Sequence, residues 1–181
     1  MKSMIILAAL LLGSCATANP TAVETDPQKL FMDRLMSLCG RTLEGTITSP
    51  AVPADADFAG KRLVMHVRDC SPNEIRIPFH VGEDRSRTWV IRRTPAGLQL
   101  KHDHRHEDGS EDELSQYGGD TVAPGTARRQ EFPADDFSKA LFVRRNIPQS
   151  AANVWALEVE PPGHFAYELR RPNRFFRVEF R

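Results

Sequence analysis

"EIRIPFHVGEDRSRTWVIRRTPAGLQLKHDHRH", Glu74 to His106, decides the fold class. Ile75, Ile77, Phe79 and Val81 alternate with polar neighbours before "GEDRS" interrupts the run. "RTWVIRRT" (Arg87 to Thr94) follows, and "PAG" leads into "LQLKHDHRH". A two-residue period punctuated by turn residues is the signature of strands joined by hairpins. Pro78 cannot donate a ladder hydrogen bond, so it demands a sheet edge or a bulge.

The pattern continues on both sides. "RTLEGTIT" (Arg41 to Thr48) and "KRLVMHVRDC" (Lys61 to Cys70) precede it. "LSQYGG", "DTVAPGTARRQEF", "NVWALEVE" (Asn153 to Glu160), "HFAYELRR" (His164 to Arg171) and "RFFRVEF" (Arg174 to Phe180) follow it. Two segments leave the period. "PQKLFMDRLMSLCG" (Pro27 to Gly40) has helical spacing, Asp26 as N-cap and Gly40 as terminator, and "PADDFSKALF" (Pro133 to Phe142) reads as a short helix. "YGGD" (Tyr117 to Asp120) reads as a glycine-permitted turn or bulge. Many short strands without crossover helices predict a mainly β domain over 27–181. Its expected form is an antiparallel up-and-down, lipocalin-like barrel or a sandwich, with an N-terminal helix and one short internal helix.

Alternation also assigns faces. His66, His80 and His164 oppose the apolar rows of their strands and face outward. His102, His104 and His106 instead share parity with Leu98 and Leu100, so an unbroken pleat carries them inward. Two outcomes stay open: a bulge or an early strand end would leave them in water, whereas an intact pleat would make them a site. His102 and His104 have His-x-His spacing for a transition metal such as zinc, with Tyr117, Asp120 or Glu113 near in sequence to complete it. The same imidazoles could hydrogen-bond a polar or anionic ligand at a barrel mouth. Arg85 and Arg87 share parity with Trp89 and Ile91 and are candidate anion contacts, although a solvated turn explains them too.

The N-terminus sets the compartment. Lys2 followed by "MIILAALLLG" (Met4 to Gly13) fits a secretory signal over 1–14 and is too short to span a bilayer. "LGSC" (Leu12 to Cys15) resembles the bacterial lipobox, which implies lipidation of Cys15, a membrane anchor and export to the periplasmic face. Ala16 after the cysteine implies the outer membrane. Residues 15–26, small and polar, read as a tether. Cleavage after Ala18, discarding Cys15, is the alternative. In an oxidising envelope Cys39 and Cys70 are expected to form a disulfide, worth roughly 3–4 kcal/mol in the chain-entropy model, rather than two buried thiols.

The formal net charge of +0 and the lack of a basic stripe with aromatic stacking partners argue against a nucleic-acid partner. No nucleophile elbow, paired-carboxylate signature or Cys–His arrangement of recognisable spacing appears, which argues against an enzyme.

"EIRIPFHVGEDRSRTW", "LKHDHRHEDG", "QYGGDT" and "RQEFPAD" together resemble a group of uncharacterised exported proteins of Gram-negative bacteria, from about Gly40 to the C-terminus. The resemblance implies export and brings no catalytic residues with it. Likeness to the lipocalins (calycins) is architectural: "GRTLEG" stands where their Gly-x-Trp signature belongs. The leading expectation is an envelope lipoprotein whose barrel binds a small ligand or metal through His102, His104, His106, Arg85, Arg87 and Tyr117. A non-catalytic structural or interaction module and a metal-dependent hydrolase are the other expectations.

Overall fold

The computed structural model describes residues 25–181. The expected signal segment, Cys15 and the expected tether as far as Glu24 lie outside the described residues. Helix α1 (Pro27–Met36) starts where the Asp26 side chain accepts a hydrogen bond from the Gln28 amide at 2.9 Å. Eleven strands follow: β1 (Thr42–Ile47), β2 (Leu63–His66), β3 (Asp69–Cys70), β4 (Glu74–Val81), β5 (Asp84–Thr94), β6 (Gly97–His104), β7 (Tyr117–Asp120), β8 (Arg129–Pro133), β9 (Val154–Glu160), β10 (His164–Arg171) and β11 (Arg174–Phe180). Helix α2 (Asp136–Arg144) lies between β8 and β9, capped by Asp135, a few residues later than its periodicity predicts. Among the described residues, no helix is long and apolar enough to cross a membrane.

All pairing is antiparallel within one sheet of order β7-β6-β5-β4-β2-β1-β11-β10-β9-β8, with β3 continuing β2 along β4. That is the up-and-down barrel rather than the sandwich. It closes between β7 and β8 through the Gly119–Ala134 bridge and the Asp135 amide donating to the Gly118 carbonyl at 3.1 Å. "YGGD" is therefore a strand, not a turn. A Cβ on Gly119 would stand 1.9 Å from the Pro133 carbonyl oxygen, and one on Gly118 1.8 Å from that of Leu100. Only glycine permits so close an approach of backbones.

Pro78 meets its bulge. Met65 opposes Phe79 while Asp69 opposes Arg76, so the β2–β3 side carries one extra residue across from Ile77 and Pro78. A second irregularity lies at the tip of the β4–β5 hairpin: Phe79 opposes Arg87, but Val81 opposes Asp84.

The inward rows form one core, including Ile75, Ile77, Phe79, Ile91, Leu98, Leu100, Phe165, Val178 and Phe180. Each such side chain contributes about 1.5–3 kcal/mol on burial. Phe31, Leu35 and Leu38 are fully buried in the same core. Through them α1 plugs the end of the barrel where the β5–β6 turn and the β7 exit lie; Gln28 donates to the Thr121 hydroxyl there at 3.0 Å. Cys39 and Cys70 are joined in a disulfide that ties the segment after α1 to β3. The outer face is polar, as alternation requires, and several of its carboxylates are held by two or more arginines: Glu158 and Glu168 each pair with Arg129 and Arg177.

Candidate functional site

The end opposite α1 is open. The chain between β1 and β2, the β6–β7 loop and the turn after α2 surround a cavity of about 270 Å³. Strand alternation supplies its walls. β5 contributes Arg87 and Trp89, β6 His102 and His104, β7 Tyr117, and β9 Trp155. β10 adds Tyr167, Leu169 and Arg171, and β11 adds Arg174 and Phe176.

The floor is aromatic. Trp89 stacks between Phe79 and Tyr167, with ring centroids 4.6 Å away on either side. His102 stacks on Tyr117 at 4.5 Å, with Trp155 tilted at 5.2 Å. Each well-placed pair adds about 0.5–1.5 kcal/mol beyond its burial. These rings are held by strands on several sides, so the floor is preformed.

His102 is only 3% exposed, and its partners settle its tautomer. The Tyr117 carbonyl can only accept, so Nδ1–H donates to it at 3.1 Å. Nε2 therefore accepts from the Tyr167 hydroxyl at 2.9 Å. Burial, with His104 as the second influence, pushes His102 down to about 3, so the ring is neutral. His104 lies one step nearer the opening, with its Nε2 3.3 Å from the Tyr117 hydroxyl. Burial and then the Arg87 charge push it down to about 4, and burial lifts Tyr117 to about 12. At neutral pH these three rings are uncharged hydrogen-bonding groups.

The charge in the mouth belongs to arginines. Arg87 is bound by Asp84, and Arg174 by both carboxylate oxygens of the buried Asp55. Arg171 donates to the Asn153 side-chain oxygen at 3.0 Å, and among the described residues no carboxylate pairs with it.

The structure thus gathers His102, His104, Arg87 and Tyr117 around one cavity. It does not bring His106 and Arg85 there. β6 ends at His104, and His106 stands exposed in the following loop, 3.9 Å from Asp112. The extra residue at the β4–β5 tip removes Arg85 from the inward row, and it donates to the Gly82 carbonyl. Both border a separate, polar surface recess with Glu107 and Asp112. Glu113 pairs with Arg145, and Asp120 accepts from Gln99. Among the described residues, no group of three His, Cys, Asp or Glu side chains is arranged to hold a metal ion. Both nitrogens of His102 are engaged by protein groups, so a zinc ion there would have to displace the Tyr117 carbonyl or the Tyr167 hydroxyl.

Arg171 and Arg174 were not among the sequence candidates, yet the signal was present. Arg171 has the parity of Phe165, Tyr167 and Leu169, and Arg174 that of Phe176, Val178 and Phe180. Their place at strand ends beside a turn gives them the look of solvated residues.

Comparison with family models, curated proteins and solved structures finds no match for this chain.

Proposed function

We propose that this chain is a cell-envelope protein, anchored through a lipid on Cys15, whose barrel holds a small ligand in its open end. The observation that carries this is the cavity itself: preformed aromatic walls, a plugged far end, and a few convergent polar groups at the mouth. Small-molecule sites have this make-up, mostly apolar with sparse oriented polar groups. A volume of about 270 Å³ lies just under the range of about 300–1,000 Å³ for drug-sized ligands, which points to a smaller one. The lipobox-like "LGSC" and the disulfide support the envelope setting.

The test is a comparison of native and denatured masses for Cys15→Ala protein recovered from the periplasm. A retained organic mass is expected. Leu114→Trp, on the loop beside the cavity, should exclude that mass while the protein stays folded. A bare chain in both forms, with no small-molecule fraction of the envelope altering wild-type tryptophan fluorescence, would overturn the proposal.

A further inference from the structure

Resting on the ligand-binding function just proposed, we infer that the ligand is a monoanionic organic acid, its apolar body on the aromatic floor and its carboxylate on Arg171.

Among the described residues, three charged side chains line the cavity, all arginines: Arg87, Arg171 and Arg174. Two are already neutralised by carboxylates of the protein itself, Asp84 and Asp55. The third is not. Arg171 is half-buried, has five N–H donors, and among the described residues its one side-chain hydrogen bond goes to a neutral amide. Its position makes the imbalance worse. Arg171 and Arg174 are direct cross-strand partners at the top of the β10–β11 hairpin, an arrangement of like charges that costs stability. Burial and the Arg174 charge accordingly act together against the Arg171 cation. A fold that needed only to close this end could place any neutral residue at position 171.

The rest of the lining says what accompanies the anion. His104 and Tyr117 are neutral, and Ser150 and Asn153 offer further polar atoms without charge. Among the described residues no acidic side chain lines the cavity, which disfavours an amine. One uncompensated positive charge matches one negative charge, so a carboxylate fits better than a phosphate dianion. The guanidinium fork suits a carboxylate in bidentate geometry. Trp89, Tyr167, Trp155 and Phe176 line the remainder with apolar atoms. The space accommodates on the order of a dozen non-hydrogen atoms, judged against larger pockets for drug-sized molecules.

The chain contains two tryptophans, Trp89 and Trp155, and both line the cavity, so intrinsic fluorescence reports directly on its occupancy. Decanoate and 4-phenylbutanoate are titrated into the Cys15→Ala protein alongside their primary amides and decylammonium. The acids should bind about 10- to 100-fold more tightly than the amides, the span expected for hydrogen bonds to a charged group. Arg171→Gln should bring the acids to the level of the amides and leave amide binding unchanged, and relief of the like-charge pair with Arg174 should leave thermal stability no lower than that of wild type. Arg171→Lys, which keeps the charge and loses the fork, should fall between, and it serves as the second variant should the glutamine form fold poorly. Arg170→Gln, on the outer face, should change nothing in the cavity. Equal binding of acid and amide, or an acid preference that survives Arg171→Gln, would overturn the inference and leave ligand binding standing. Failure of every probe would overturn it too, and the native mass of the recovered protein then shows separately whether the ligand-binding function falls with it.

Discussion

Acidification should destabilise this barrel from about pH 6.5 downward, and His102 is the largest single reason. In the unfolded chain an imidazole titrates near its ordinary 6.5, whereas burial holds His102 at about 3 in the fold. Between those values the unfolded chain binds a proton that the native chain refuses, so stability is full above about pH 6.5 and falls as pH falls. From pH 7 to pH 4.5 this one group removes about 2.5 kcal/mol, a large share of a typical domain's stability. His104 and His80, both lowered chiefly by burial, act in the same direction; their contact with solvent makes each contribution smaller. Carboxylates add to the loss only at the acidic end of this window, and a comparison with a His102 variant separates them. Burial would raise Asp84, but hydrogen bonds from Ser86 and Arg87 hold it at about 2, and Arg177 with Arg129 holds Glu158 at about 2 against the same burial. These carboxylates, with Glu74, Glu131, Glu168 and Glu179, which arginines also hold low, stabilise the fold above their unfolded values and begin to lose that contribution as pH falls through about 5. Urea unfolding followed by tryptophan fluorescence, at closely spaced pH values, measures the slope. The perturbation is His102→Gln, whose amide can still donate to the Tyr117 carbonyl and accept from the Tyr167 hydroxyl. It should be about 1–2 kcal/mol less stable than wild type at pH 7, through lost packing and imperfect bonds. Its stability should then fall about 2.5 kcal/mol less by pH 4.5, so that the two curves converge or cross. Parallel curves would refute a neutral, buried His102.

Three further outcomes are expected. Removing the disulfide with Cys39→Ala/Cys70→Ala frees a loop of sequence separation 31 and should cost about 3.5–4 kcal/mol in the chain-entropy model. Calorimetry should then show a melting temperature about 7–15 °C lower; an unchanged value would mean that the bridge carries no stability. Gly119→Ala drives a methyl group into the Pro133 carbonyl and should cost about 1–3 kcal/mol or more, with amide exchange accelerated first along the β7–β8 seam. Uniform acceleration around the barrel would argue against a seam closed by that approach. Asp55→Asn leaves Arg174 buried without its partner and should cost about 3–5 kcal/mol in urea unfolding. A loss under about 1 kcal/mol would show that Arg174 finds solvent instead.

Sequence alone determined the elements and their faces. A two-residue period between turn residues is a local property, so β4, β5, β6, β9, β10 and β11 stand close to where alternation places them. The same locality made α1 and its Asp26 cap legible, because capping needs only neighbouring residues. Pro78 announced a bulge for a covalent reason, its missing N–H, although the partner strand supplies the extra residue. Parity allowed an inward row from Leu98 to His104 without deciding between it and a solvated strand end, and it carried an unread signal for Arg171 and Arg174. Where β6 ends was not legible: Arg105 still bonds the Ser86 carbonyl, but the chain then turns, the His106 amide bonding the Ser110 carbonyl, and the His106 side chain stands in solvent. Closure of the barrel, the pairing that makes "YGGD" a strand, and the cavity above the aromatic floor belong to the tertiary structure. So does the division between arginines that the protein neutralises and the one it leaves open, since Asp55 lies more than a hundred residues from Arg174 in sequence. Periodicity tells which side chains face inward. Only the folded chain, by bringing distant charges within hydrogen-bonding range, tells which of them remain for a ligand.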